Sequence, residues 1–126
     1  MAYLVDTNII VDFTRGNAKA ADYLDSIGDA CLLSSITALE LIAGDRSQRE
    51  VMDLDIMISA YDQIAPTGDI TRRAYYLMKT YAKPAGLQTL DSLIAATALE
   101  EGLTLATKNR KHFQMIGNLK LEVPSY

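Results

Sequence analysis

Four acid or amide side chains stand where polarity is costly in this sequence. Asp6 closes the apolar run Tyr3-Leu4-Val5, and Glu40 lies inside Ile36-Thr-Ala-Leu-Glu40-Leu-Ile-Ala43. Asp91 opens the apolar stretch Leu90 to Leu99, and Asn109 follows Leu103-Thr-Leu-Ala106. A carboxylate in such surroundings is expensive to bury unless something positive joins it. An oxygen-rich set without cysteine or several histidines selects a hard cation, Mg²⁺ or Mn²⁺. Zinc is disfavoured, because only Cys31 and His112 offer softer ligands. Mg²⁺ held by one or two carboxylates keeps several waters and engages phosphate. The matching chemistry is in-line hydrolysis of a phosphodiester. No Ser/His/Asp or Cys/His arrangement is apparent, and no glycine-rich phosphate loop follows the first apolar run.

Each acid also has a plainer structural role. Asp6 before Thr7-Asn8 is a helix-cap signal, and an acid such as Asp91 in a first helical turn suits the macrodipole. That plainer reading is weakest for Glu40. Its helical neighbours are Ile36, Thr37, Ala43 and Gly44, and no Lys or Arg occurs between Lys19 and Arg46. Glutamate is almost never fully buried unpaired, so its partner must come from elsewhere in the fold or from a metal. His112, between Lys111 and Phe113, reads as a surface group, since metal-activated water needs no histidine.

These positions must be carried by elements that bring them together. Tyr3–Asp6, Ala30–Leu33, Tyr61–Ala65 and Leu103–Ala106 read as short buried strands. Leu119, Leu121 and Val123, alternating with Lys120 and Glu122, read as a half-exposed edge strand ended by Pro124. Residues 8–15 are ambiguous. Ile9-Ile10-Val11 favours a strand by propensity, but the Asp-Thr-Asn triplet signals strand, turn, short helix. Helices are expected over 17–27, after Ser34 or Ser35 up to Gly44, over 48–60, 67–82 and 89–101. The helix over 48–60 is amphipathic, with Met52, Ile56 and Ser59 or Ala60 on one side. The helix over 67–82 is expected to stop near Pro84 and Gly86. Strands alternating with helices specify a parallel sheet covered on both faces, with ligands at the carboxyl ends of the strands. Asp6 and Asn109 follow strands, and Glu40 and Asp91 are expected in the first halves of helices, so all four converge on one rim.

Composition narrows the class. The 126 residues, 49% apolar, make one domain spanning 1–126. No apolar stretch is long enough to cross a bilayer, and no basic region precedes an apolar run as in a signal peptide. Cys31, the one cysteine, reads as strand packing. A reducing, cytoplasmic setting is the expectation. The net charge of −4 argues mildly against nucleic acid, but local clusters matter more. Lys108, Arg110, Lys111 and His112 surround Asn109, while Arg72, Lys79 and Lys83 fall at helical spacing with Tyr76 between them. Each run reads as a solvated face or as a wall for a polyanion.

Taken in order, four segments resemble the PIN-domain ribonucleases of the VapC toxin type. They are Leu4-Val-Asp-Thr-Asn-Ile-Ile-Val-Asp12, Ser34 to Gly44, Leu90 to Ala98 and Leu105-Ala-Thr-Lys-Asn-Arg-Lys-His-Phe113. The resemblance implies an α/β/α sandwich with a central, mainly parallel sheet and an Mg²⁺- or Mn²⁺-dependent endoribonuclease. It makes Asp6, Glu40 and Asp91 the metal-binding acids, with Asn8 and Thr107 as supporting hydrogen-bonding positions. Asn109 falls where many relatives carry a fourth acid or an Asn, and His112 where some carry an acid, which puts a tightly held second metal in doubt. The resemblance also implies an antitoxin partner and a homodimer. The surface between Ile36 and Ala60 is the one offered to the antitoxin. The competing classes are a PIN-like binding module without catalysis and another acidic-site α/β phosphohydrolase. An aspartyl-phosphate phosphatase would need an acid where Asn8 stands, and a receiver domain would need a phosphoacceptor Asp ending a central strand, whereas the mid-chain acids Asp53 and Asp55 fall in an expected helix.

Overall fold

The computed structural model describes residues 1–44 and 47–126. Arg46, the first cation after Glu40 in the sequence, lies outside the described residues, as does Asp45. Five strands form one parallel sheet in the order β3-β2-β1-β4-β5: β1 Tyr3–Val5, β2 Cys31–Ser34, β3 Asp62–Ile64, β4 Thr104–Ala106 and β5 Leu121–Glu122. β1 is central, with Tyr3 opposite both Cys31 and Thr104. The chain builds one half of the sheet through β3 and then crosses to β4 on the other side of β1. The crevice between the ends of β1 and β4 is therefore the topological switch point, where doubly wound sheets bind ligands.

Alternation along the strands feeds two cores. Leu4 and Leu105 face a cluster with Ile70, Leu77, Ile94 and Phe113, while Val5, Leu33 and Ala106 face Ile9, Ile10, Leu24, Leu54 and Ile58. Helices α5 (Gly68–Ala85) and α6 (Thr89–Glu101) cover the first face. Helices α1 (Thr7–Thr14), α2 (Ala18–Ile27) and α4 (Gln48–Ser59) cover the second. Helix α3 (Ser35–Ala43) reaches both, Ile36 on one side and Leu41 on the other. The result is the expected α/β/α sandwich. A short 3-10 turn (Gly28–Ala30) and a one-turn helix α7 (Arg110–Phe113) complete the elements.

The ambiguous segment folds as helix, Thr7–Thr14 with Arg15 as its C-cap, because Asp6 caps α1 through its side chain and Ile9 and Ile10 are buried on the helix face. Cys31 is buried, and burial pushes its thiol up to about 11, in keeping with packing rather than reactivity. Three expectations need correction. In α4 the inward residues are Leu54 and Ile58, while Met52 and Ile56 are 62% and 69% exposed. Two apolar stripes compete on this helix, and the one that meets Ile9 and Leu41 wins. Helix α5 stops at Gly86 as expected but continues past 82 through Pro84 to Ala85, where Gly86 (φ 72°) caps it in αL and donates to the Ala82 carbonyl. Glu40 lies past the middle of α3 rather than in its first half.

Ser34 sets the position of α3. It is fully buried, and its hydroxyl accepts from the Ile36 amide at 3.0 Å. Ser34→Ala should cost about 1 kcal/mol, read as a lowered denaturation midpoint.

Candidate active site

Asp6 is held at the switch point by the end of the β1 ladder, its amide donating to the Ala106 carbonyl at 2.9 Å. It is 6% exposed. Its Oδ1 accepts from the Thr7 amide at 2.8 Å, and its Oδ2 from the Thr107 hydroxyl at 2.7 Å. Thr107, fully buried at the end of β4, also accepts from the Asn109 amide at 3.0 Å. The Asn8 amide group lies 3.4 Å from Thr107 Oγ1 and 3.5 Å from Asp6 Oδ2. Glu40 is half-buried, and its Oε1 accepts from the Thr7 hydroxyl at 2.8 Å. Among the described residues, the side chain that donates to Glu40 is thus a neutral hydroxyl from α1. Asp91, in the first turn of α6, has its Oδ2 3.2 Å from His112 Nδ1.

Asp6, Asn8, Glu40, Asp91, Asn109 and His112 face one open pocket, with Thr7, Asp12 and Arg15 on its walls. Four segments remote in sequence therefore meet on one rim. The acids feel each other. Burial raises the Asp6 carboxyl above its usual range against the lowering effect of Thr107 and Thr7, and the charge of Asp91 adds to the rise. Burial also raises Asp91, opposed by His112 and reinforced by Glu40. Among the described residues, no three acidic, His or Cys side chains close into a ready-made coordination set. Each carboxylate is instead held by a protein donor. The donor chemistry still fits Mg²⁺ or Mn²⁺: the carboxylates are hard oxygens, they repel one another, and such ions need only one or two of them beside water.

Thr107→Val keeps the side-chain shape and removes the donor to Asp6. We expect a loss of about 1.5–3 kcal/mol at neutral pH, as for a hydrogen bond to a charged group, measured by urea unfolding.

The basic positions divide. Lys108 binds Asp12 at 2.8 Å on the pocket wall, and Arg110 begins α7 beside Asn109. Arg72 binds Asp69 and lines a different pocket with Arg73, Tyr76 and Glu100. Arg73, near the start of α5, pairs with Glu100, near the end of α6, and a three-residue connection joins the two helices, so they run antiparallel. Glu100 is nine residues beyond Asp91, about 13 Å along the helix. Arg72 thus sits at the end of the helix pair remote from Asp91, while Lys79, over the Tyr75 ring, and Lys83 lie further along α5 towards its turn into α6. Sequence reasoning missed Thr7, Asp12 and Arg15. Asn8, Asp12 and Arg15 have helical spacing, a signal masked by the β-branched triplet between them. His112, expected at the surface, faces the pocket while remaining exposed.

The chain belongs to the PIN domain family, whose model matches residues 3–118. Its homology to the VapC ribonuclease toxins of toxin–antitoxin systems is strong. Ribonuclease VapC19 of Mycobacterium tuberculosis is 36% identical over 121 residues, covering 93% of this chain and 96% of that protein. A toxin–antitoxin complex from Klebsiella pneumoniae contains a chain that superposes with a TM-score of 0.84 at 28% identity, covering 98% of both chains. VapBC2 from Rickettsia felis, bound to a DNA fragment from its promoter, gives 0.82 at 28% identity and 98% of both chains.

Proposed function

We propose that this protein is a divalent-metal-dependent endoribonuclease and the toxin component of a type II toxin–antitoxin pair. The observation that carries the reading is the meeting of Asp6, Glu40 and Asp91 in one pocket at the switch point of the sheet. These acids would hold Mg²⁺ or Mn²⁺, which when bound supplies the charge that activates water and stabilises the leaving oxygen. Thr107 and the Thr7 amide orient Asp6, the Thr7 hydroxyl orients Glu40, and His112 orients Asp91. Asn8 and Asn109 complete the polar wall. Arg110, beside Asn109, is a contact for the RNA strand. Arg72, Lys79 and Lys83 do not line this pocket, and Arg72, at the far end of the helix pair, would meet RNA only beyond it.

An antitoxin is the second partner in this reading. Leu39, Ile42, Met52 and Ile56 on α3 and α4 are exposed, and exposed large apolar side chains mark interaction surfaces. A basic antitoxin side chain entering the pocket would bond the carboxylates that hold the metal. A homodimer and a cytoplasmic setting belong to the same reading. Among the described residues, no helix is long and apolar enough to cross a membrane.

A PIN-like module without catalysis has one observation on its side, the absence of a closed coordination set among the described residues. The two readings part on incubation of purified protein with total RNA in Mg²⁺, Mn²⁺ or EDTA, with mapping of the cut ends. Discrete cuts that EDTA abolishes support the nuclease; intact RNA under all three conditions supports the module.

A further inference from the structure

The segment after β5 is tied back to the pocket. Asp12 Oδ2 accepts from Lys108 Nζ at 2.8 Å and from the Tyr126 hydroxyl at 3.0 Å. The Lys108 ammonium also stands 4.6 Å from the centre of the Tyr126 ring. Tyr126 packs against the Tyr23 ring (6.5 Å between centroids), and the Tyr23 hydroxyl donates to Glu122 of β5. The Lys108 backbone is fixed as well. Its amide lies 3.4 Å from Asn8 Oδ1, and it sits between Thr107 and Asn109, both bonded within the site.

We propose that Lys108 grips an RNA phosphate beside the acidic pocket, and that Asp12 and Tyr126 are positioning residues that hold its ammonium on the rim until RNA arrives. This rests on the endoribonuclease reading and adds to it the means by which an acidic pocket accepts a polyanion. Three features single out Lys108. Asp12 shares the pocket wall with the acids, which puts this cation at their edge. The Lys108 side chain is 36% exposed, so a phosphate can reach it. A partly exposed ion pair is also weak enough to exchange a carboxylate for a phosphate at little cost. Asp12 is not orphaned by the exchange, because the Tyr126 hydroxyl continues to donate to it. The aromatic face keeps the ammonium near the rim throughout.

The test uses the Asp91→Asn protein as parent, so that RNA is bound without being cut. A fluorescein-labelled single-stranded oligouridylate is titrated by anisotropy at increasing KCl. Lys108→Ala should weaken binding about fivefold and reduce the slope of log K against log salt by about 0.7, the loss of one phosphate contact. Lys108→Arg should keep both. Tyr126→Leu, which retains apolar bulk against Tyr23, should weaken binding about threefold when Lys108 is present and not at all in the Lys108→Ala background, because its effect passes through that side chain. The proposal is overturned by no saturable binding to the parent, by an unchanged slope in Lys108→Ala, or by an equal Tyr126→Leu effect in both backgrounds. Mg²⁺-dependent cleavage of the same oligonucleotide by the wild-type chain tests the endoribonuclease reading separately.

Discussion

Replacing Asp91 with Asn is expected to lower the rate of Mg²⁺-dependent RNA cleavage by about a thousandfold or more. The loss corresponds to ~4 kcal/mol of transition-state stabilisation, within the several kcal/mol that metal charge supplies. An amide is a poor ligand for a hard cation at a site driven by charge. The same substitution should raise the melting temperature of the metal-free protein, and the sign follows from the raised carboxyl. Asp91 titrates higher folded than unfolded, so the folded state favours the protonated acid. Stability from this group is full below the unfolded pKa and lost as pH rises through the folded one. At neutral pH the bare carboxylate is a liability that Asn removes. In EDTA the variant should therefore melt above the wild type. Added Mg²⁺ should then raise the wild type and leave the variant unmoved. A variant that cleaves normally, or that melts lower without metal, would make Asp91 a helix-terminus residue and nothing more.

The largest stability loss is expected from Phe113→Ala. Helix α7 is a single turn (Arg110–Phe113), too short to hold itself. Phe113 is its one buried residue, fully enclosed beside Leu4, Leu105 and Ile116. It pins to the core the turn that carries His112, with Asn109 just before it. Truncation should cost about 3–5 kcal/mol, a large part of the total stability of a domain. Phe113→Leu, nearer in volume, should cost less than about 1.5 kcal/mol. Denaturant unfolding reads both. A Phe113→Ala loss below about 1 kcal/mol would mean that α7 is not anchored by this ring.

Much of this architecture was legible before any coordinates. Short apolar runs broken by capped helices specify a covered parallel sheet, and Gly102 and Gly28 close the helices over 89–101 and 17–27 where expected. The convergence of Asp6, Asp91 and Asn109 followed from the rule that ligands sit at the carboxyl ends of strands, whereas Glu40 reaches the rim from past the middle of α3, through its bond with Thr7. What stayed hidden depended on tertiary partners. Nothing local says that the Thr7 hydroxyl will reach Glu40 on another helix, or that His112 will turn toward Asp91. Periodicity picked out the Met52/Ile56 stripe of α4 and not the Leu54/Ile58 stripe that is buried, because that choice depends on where Ile9 and Leu41 lie. Tyr126 gave no signal at all, since its role is defined only by contacts with Asp12, Lys108 and Tyr23, each distant in sequence.

The central claim is most directly tested by calorimetric titration of Mn²⁺ into the purified, EDTA-stripped protein and its Asp6→Asn, Glu40→Gln and Asp91→Asn variants. The account predicts saturable binding to the wild type that is lost or strongly weakened in every variant. Equal binding by all four proteins, or none by the wild type even with RNA present, would contradict it.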